Sequence, residues 1–157
     1  MPVVDFQLNL NTETVDDAFP ADPICVQTQT TIREVFEVLK QENRGCALVC
    51  QDDVLVGIFT ERDALKLMAD QANLNHPIES VMRRDPVTLS ASETVGKAIS
   101  KMSLGGYRRL PIVDDEGRPT GLLKVPGILH YLVEHFPSMV YNLPPAPHHS
   151  TQQREGA

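Results

Sequence analysis

The chain has 157 residues, 41% hydrophobic and 22% charged, a balance that suits one globular domain or two small repeats sharing a core and argues against a separate catalytic domain. Its net charge of −7 argues against general nucleic-acid binding, which needs basic surface to displace counterions from phosphates. No apolar run approaches the roughly 20 residues that cross a bilayer, and Met1-Pro2-Val3-Val4-Asp5 lacks the order of a secretory signal, so a cytoplasmic protein with no membrane contact is expected.

Residues 1–13 read as an N-terminal extension and residues 14–72 as a first unit. That unit opens with an extended segment at 24–26. Thr31-Ile32-Arg33-Glu34 then has the hydroxyl-to-Glu spacing of a capping box, and Ile32, Val35 and Leu39 follow at helical spacing. Two apolar strands, 46–50 and 54–59, flank the acidic turn Asp52-Asp53. A helix over about 61–72 carries Leu65, Leu67, Met68 and Ala72. Residues 73–77 are a linker, and 77–82 can form a short helix leading into a second unit, 78–136. There the extended segment is 87–89, and a second capping box is read at Ser90-Ala91-Ser92-Glu93. Val95, Ala98 and Met102 set the helix, and strands 110–113 and 119–123 flank Asp115-Glu116-Gly117. Pro126 suits the first turn of the closing helix. Residues 137–157, with Pro144-Pro145-Ala146-Pro147, read as a disordered tail, in which His148-His149 is at most a weak metal-binding pair.

The two units are one pattern written twice. Asp22-Pro23-Ile24 recurs as Asp85-Pro86-Val87, and Gly57-Ile58 recurs as Gly121-Leu122, with one residue gained between helix and strand. A unit of about sixty residues buries too little surface alone. The expected fold is therefore α+β: two β-α-β-β-α repeats packed through their small sheets.

Cys25, Cys46 and Cys50 are odd in number and lie in apolar strand-like runs, so buried reduced thiols are expected, and no neighbouring His completes a metal set. Charge is uneven: residues 1–82 carry a net −9 and residues 83–124 a net +3. The basic stretch holds Arg83, Arg84, Arg108, Arg109, Arg118 and Lys124, donors suited to a small anion. No nucleophile–base pair or catalytic carboxylate pair emerges, and His76, His130 and His135 are scattered, so no enzyme is read.

Three segments carry a family resemblance. They are Gly57-Ile58-Phe59-Thr60-Glu61-Arg62-Asp63, Met82-Arg83-Arg84-Asp85-Pro86-Val87-Thr88-Leu89, and Arg108-Arg109-Leu110-Pro111-Ile112-Val113-Asp114. Together with the doubled order they resemble the CBS-domain family, in the tandem arrangement called a Bateman module, over about residues 14–133. Spacing alone leaves Thr60 and Asp63 two roles: capping a helix, or receiving the two hydroxyls of a ribose. The resemblance implies the ribose role, in a cleft between the repeats, with an adenine near Val87 and Tyr107-Arg108-Arg109. It implies phosphate donors among Arg44, Arg62, Arg83, Arg84 and Arg108, with Arg44 foremost, and it adds Met82 and Arg83 from the entrance segment. The second copy places Lys124 and Gly127 where Thr60 and Asp63 stand, so one competent cleft per chain is expected.

The function implied is a stand-alone regulatory module needing no cofactor. It binds AMP, ADP, ATP or another adenosyl compound and signals ligand state to a regulated partner protein. The alternative is a ligand-free dimerisation module. The resemblance also implies a homodimer through the second helices, where Leu65, Leu67, Met68, Leu129, Leu132 and Val133 supply apolar surface.

Overall fold

The computed structural model describes residues 13–135, so the expected tail and nearly all of the N-terminal extension lie outside the described residues. The first repeat comprises β1 (Cys25–Gln27), α1 (Ile32–Glu42), β2 (Cys46–Gln51), β3 (Val54–Thr60) and α2 (Glu61–Ala69). A single 3-10 turn (Ile78–Ser80) and a short strand, β4 (Arg83–Arg84), lead on. The second repeat comprises β5 (Leu89–Ser90), α3 (Val95–Gly105), β6 (Arg109–Val113), β7 (Pro119–Lys124) and α4 (Val125–His135). The fold is α+β, two β-α-β-β-α repeats with mixed sheets in the orders β1-β2-β3-β4 and β5-β6-β7.

In each repeat the first two strands are parallel, because a helix carries the chain across between them, and the next two form an antiparallel hairpin. Asp52 and Asp53 both take left-handed backbone (φ 52° and 67°), which a tight hairpin turn requires and Asp tolerates. The second turn is built differently: Gly117 supplies the positive φ of 83°, and the Asp114 carboxylate accepts from the Glu116 and Arg118 amides, each at 2.9 Å. α2 stops at Ala69 rather than near residue 72. There Gln71 turns left-handed (φ 53°) and the Ala72 amide bonds back to the Leu67 carbonyl at 3.0 Å.

The first capping box forms: Thr31 Oγ1 accepts from the Glu34 amide at 3.1 Å and Glu34 accepts from the Thr31 amide at 3.0 Å. The second lies elsewhere than the spacing suggests. Thr94 caps α3, accepting from the Lys97 amide at 3.1 Å. Ser90 ends β5 and bonds to Ser92, while the Glu93 carboxylate is held by Lys101 at 3.2 Å. Lys97 stands where a box needs Glu and has no acceptor to offer, so only half of the motif exists at the true helix start.

The cores cross over between repeats. Val26, Ile32, Val35, Leu39, Ala47, Val49 and Phe59 form the first core together with Ile78 and Met82, which precede the second repeat's strands. Leu89, Val95, Ala98, Met102, Leu110, Ile112, Leu123, Ile128 and Tyr131 form the second core together with Val15 and Ala18, which precede the first repeat's strands. Ala21 exchanges both backbone hydrogen bonds with Leu122 of β7, at 2.9 and 2.8 Å, much as Arg83 and Arg84 pair with β3. Between the sheets, Cys46, Leu48 and Ile58 pack on Leu122. Cys46 and Cys50 are buried as expected, but Cys25 is exposed, because edge strand β1 turns only Val26 inward. All three are free thiols.

Candidate ligand cleft between the repeats

Three segments that the chain order separates meet in a cavity of about 860 Å³, a size typical of small-molecule sites. The first repeat contributes the end of β3 and the first turns of α2, through Ile58, Thr60, Glu61, Arg62 and Leu65. The opening segment of the second repeat contributes Arg83 to Val87, and the start of its β6 adds Gly106 to Pro111. This opening segment is held against β3 by β4 pairing and by the Asp85 amide, which donates to the Val56 carbonyl at 3.2 Å. Asp85 takes left-handed backbone (φ 51°) immediately before Pro86, and this turns the chain out of the first sheet toward β5.

Eight of the eleven residues expected at the site line this cavity: Thr60, Arg62, Arg83, Arg84, Val87, Tyr107, Arg108 and Arg109. Asp63 stands directly behind them. Its Oδ2 accepts from the Thr60 amide at 3.0 Å and from Thr60 Oγ1 at 3.2 Å, which is the helix-capping role. Its Oδ1 accepts from Arg83 Nε at 3.1 Å, with the Asp63 side chain 15% exposed and that of Arg83 55%. Both carboxylate oxygens are thus engaged by cavity-lining residues.

Val87 and Tyr107 are both exposed and give the cavity apolar surface. A side chain at Gly105 would run into the Tyr107 ring, so the ring lies folded against the end of α3. Arg109 is a brace as well as a lining residue: its Nη1 pairs with Glu61 Oε1 at 2.9 Å and donates to the Gly45 carbonyl at 3.2 Å, tying β6 to the first repeat.

Two expected residues are not brought here. Met82 is buried in the first core, its side chain packed over Gly57; an apolar side chain one residue before β4 gains more from that core than from a solvated cleft. Arg44 donates to the Asp22 carbonyl at 2.6 Å and, with Arg109, depresses the Lys124 ammonium, whose burial is the larger cause. Arg44 therefore faces the end of β7 rather than Asp63. The segment before each central strand faces the opposite repeat, so the residue facing Asp63's cleft is Arg108, the counterpart of Arg44 in the repeat.

Glu61, Leu65, Asp85, Pro86 and Pro111 also line the cavity and were not singled out from the sequence. The Asp-Pro dipeptide marks Asp85 as a turn residue; the Glu61–Arg109 pair is a tertiary contact with no local signal. At the related position in the second repeat, Gly127 has the Ala18 and Phe19 carbonyls against it, 2.7 and 3.0 Å from where a Cβ would stand. The place of the missing carboxylate is filled by the chain's own backbone.

This architecture, two repeats with a cavity between them, is that of a CBS pair, and the CBS domain matches residues 15–70 and again 78–134. The chain belongs to the CBS domain family. It is 29% identical over 110 residues to an uncharacterized 17.7 kDa protein of Acidianus ambivalens, the match covering 69% of this chain and 66% of that one. The matched stretch spans 66%, 37% and 57% of the lengths of that protein and of relatives from Thermofilum pendens and Methanopyrus kandleri. Among solved structures, the CBS domain protein PAE2072 from Pyrobaculum aerophilum, complexed with AMP, is similar with a TM-score of 0.68 at 24% identity, over 77% of this chain and 98% of that one. The CBS domain pair of protein MJ0100, in complex with 5′-methylthioadenosine and S-adenosyl-L-methionine, gives a TM-score of 0.67 at 28% identity, over 74% and 97%.

Proposed function

We propose that this chain is a regulatory, non-catalytic module that binds an adenine nucleotide or related adenosyl ligand between its repeats and passes ligand state to a partner protein in the cytoplasm. The observation that carries the reading is the cavity in which Thr60, Val87, Tyr107 and several arginines converge, with the Asp63 carboxylate behind Thr60. In this reading Asp63 and Thr60 receive the ribose hydroxyls, Val87 and Tyr107 flank the base, and Arg62, Arg83 and Arg108 face the phosphates. The adenosyl ligands of the two similar CBS structures support the ligand class. The repeats are read as residues 14–72 and 78–136, and no cofactor is required.

A thermal-shift series with AMP, ADP, ATP and S-adenosylmethionine tests this directly. A ligand that binds only the folded state adds about 2.7 kcal/mol at a hundredfold excess over Kd, and Asp63→Ala should remove most of that gain. If no adenosyl compound raises Tm at millimolar concentration, the chain is a ligand-free interaction module.

The same reading includes a homodimer. Leu65 and Met68 on α2 are 71% and 60% exposed, and Leu129 and Val133 on α4 are 57% and 44% exposed, apolar side chains that a second copy would cover. Leu67 and Leu132 instead pack on the cores. Light scattering should give about twice the 17.4 kDa chain mass; a monomer at all micromolar concentrations removes the dimer and leaves the cleft.

A further inference from the structure

We infer that the cleft selects phosphorylated nucleotides over neutral nucleosides and sulfonium compounds, and that Arg83 makes the selection by holding the Asp63 carboxylate until a phosphate draws its guanidinium away. The inference rests on the adenosyl reading above and narrows its ligand class.

Asp63 Oδ2 serves the Thr60 amide and hydroxyl, and Oδ1 is taken by Arg83 Nε at 3.1 Å. A ribose presenting two hydroxyls needs acceptor positions on this carboxylate, and the oxygen free of the helix cap is the one Arg83 occupies. The Asp63 side chain is 15% exposed and that of Arg83 55%, so the pair is shielded on its carboxylate side and open to water on its guanidinium side. Breaking it for a ribose alone leaves the Arg83 guanidinium without its carboxylate.

Its surroundings make that costly. Among the residues lining the cavity, five carry guanidinium groups (Arg62, Arg83, Arg84, Arg108 and Arg109) and two carry carboxylates (Glu61 and Asp85). Glu61 is already paired with Arg109 at 2.9 Å. Arg83 released from Asp63 thus joins an excess of like charge. A phosphate on the ligand supplies the replacement anion, with bidentate geometry that suits guanidinium. A neutral nucleoside supplies none, and a sulfonium adds another positive charge. The ion pair is therefore a competitor of the ribose whose displacement only an anionic ligand offsets.

Titration calorimetry of the full chain with AMP, adenosine and S-adenosylmethionine, for the parent and for Arg83→Gln, tests the inference. The parent should bind AMP at least tenfold more tightly than either other compound, with the gap shrinking as salt rises. In Arg83→Gln the two ligands should move in opposite directions, AMP weakening about tenfold and adenosine tightening, because the competitor has gone. Circular dichroism confirms that the variant is folded, and Arg83→Lys, which keeps the charge but not the fork, should fall between parent and Gln for AMP. Adenosine or S-adenosylmethionine binding the parent as tightly as AMP would overturn the inference, as would Arg83→Gln weakening AMP and adenosine alike. Binding of none of the three would sink the adenosyl reading itself, and this inference with it.

Discussion

Gly127→Ala probes the crossed packing. The added methyl would stand 2.7 Å from the Ala18 carbonyl oxygen and 3.0 Å from that of Phe19. These are backbone atoms, held in turn by the Ala21–Leu122 hydrogen-bond pair, so no side-chain tip can swing aside. Either the clash is absorbed as overpacking, at ~1–3 kcal/mol, or the segment lifts and exposes Val15, fully buried in the second core, at ~1.5–3 kcal/mol. Both routes give a loss of about 1–3 kcal/mol, which at ~2–4 °C per kcal/mol for a chain of this size lowers Tm by about 2–12 °C. A double-mutant cycle separates them. Val15→Ala alone should cost roughly 2 kcal/mol through lost methyl burial and the cavity left behind; in the Gly127→Ala background it should cost under about 0.5 kcal/mol if the segment has lifted, and its full amount if the strain is absorbed in place. A Gly127→Ala protein melting within about 1 °C of the parent would refute the packing argument.

Two further outcomes follow from local chemistry. Thr94→Ala should destabilise by about 1 kcal/mol in urea titration while Ser90→Ala costs a few tenths, since Thr94 holds the Lys97 amide; the reverse order would return the cap to Ser90. Stability should also fall above pH 9. Burial, with the neighbouring Cys25 thiol, pushes the Cys50 thiol from 9.0 up to about 12, and burial, with Glu13 and Asp17, pushes the Tyr131 phenol from 10.0 up to about 12. The folded chain holds both protons more tightly than the unfolded chain, so this stabilisation is complete below pH 9 and lost between about pH 9 and 12. The slope is at most ~1.4 kcal/mol per pH unit for each group. Urea midpoints across pH 7 to 11 should be flat to pH 9 and then decline, less steeply in Cys50→Ala; a decline beginning near pH 7 would assign it to another group.

The repeat was legible because each copy carries its own periodicity: Ile32, Val35 and Leu39 repeat as Val95, Ala98 and Met102, and all six are buried. Hairpin turns were legible from Asp52-Asp53 and Gly117 because positive φ restricts the residues that can stand there. The cap at Thr94 was not, because the segment contains a better match to the box pattern at the wrong place. Arg44 and Met82 were misplaced for a different reason. A linear pattern says which residues are near a strand end but not which repeat that end faces, and the direction is set by the crossed packing. The same limit hid Glu61, whose partner Arg109 lies in the other repeat.

That crossed packing bears on how a small cleft could report to a partner. The opening segment of the second repeat is hydrogen-bonded into the first sheet at Arg83 and Arg84, then turns at left-handed Asp85 and enters the second sheet at Leu89. Its cavity-lining residues, Arg83 to Val87, therefore lie on a short tether between two rigid sheets. Arg109 spans the other side of the cavity to Glu61 at the start of α2, the helix that also presents Leu65 and Met68 outward. On the proposed reading, a ligand that repositions Arg83 acts on this tether and on the charge beside the Glu61–Arg109 brace, at the first turn of α2.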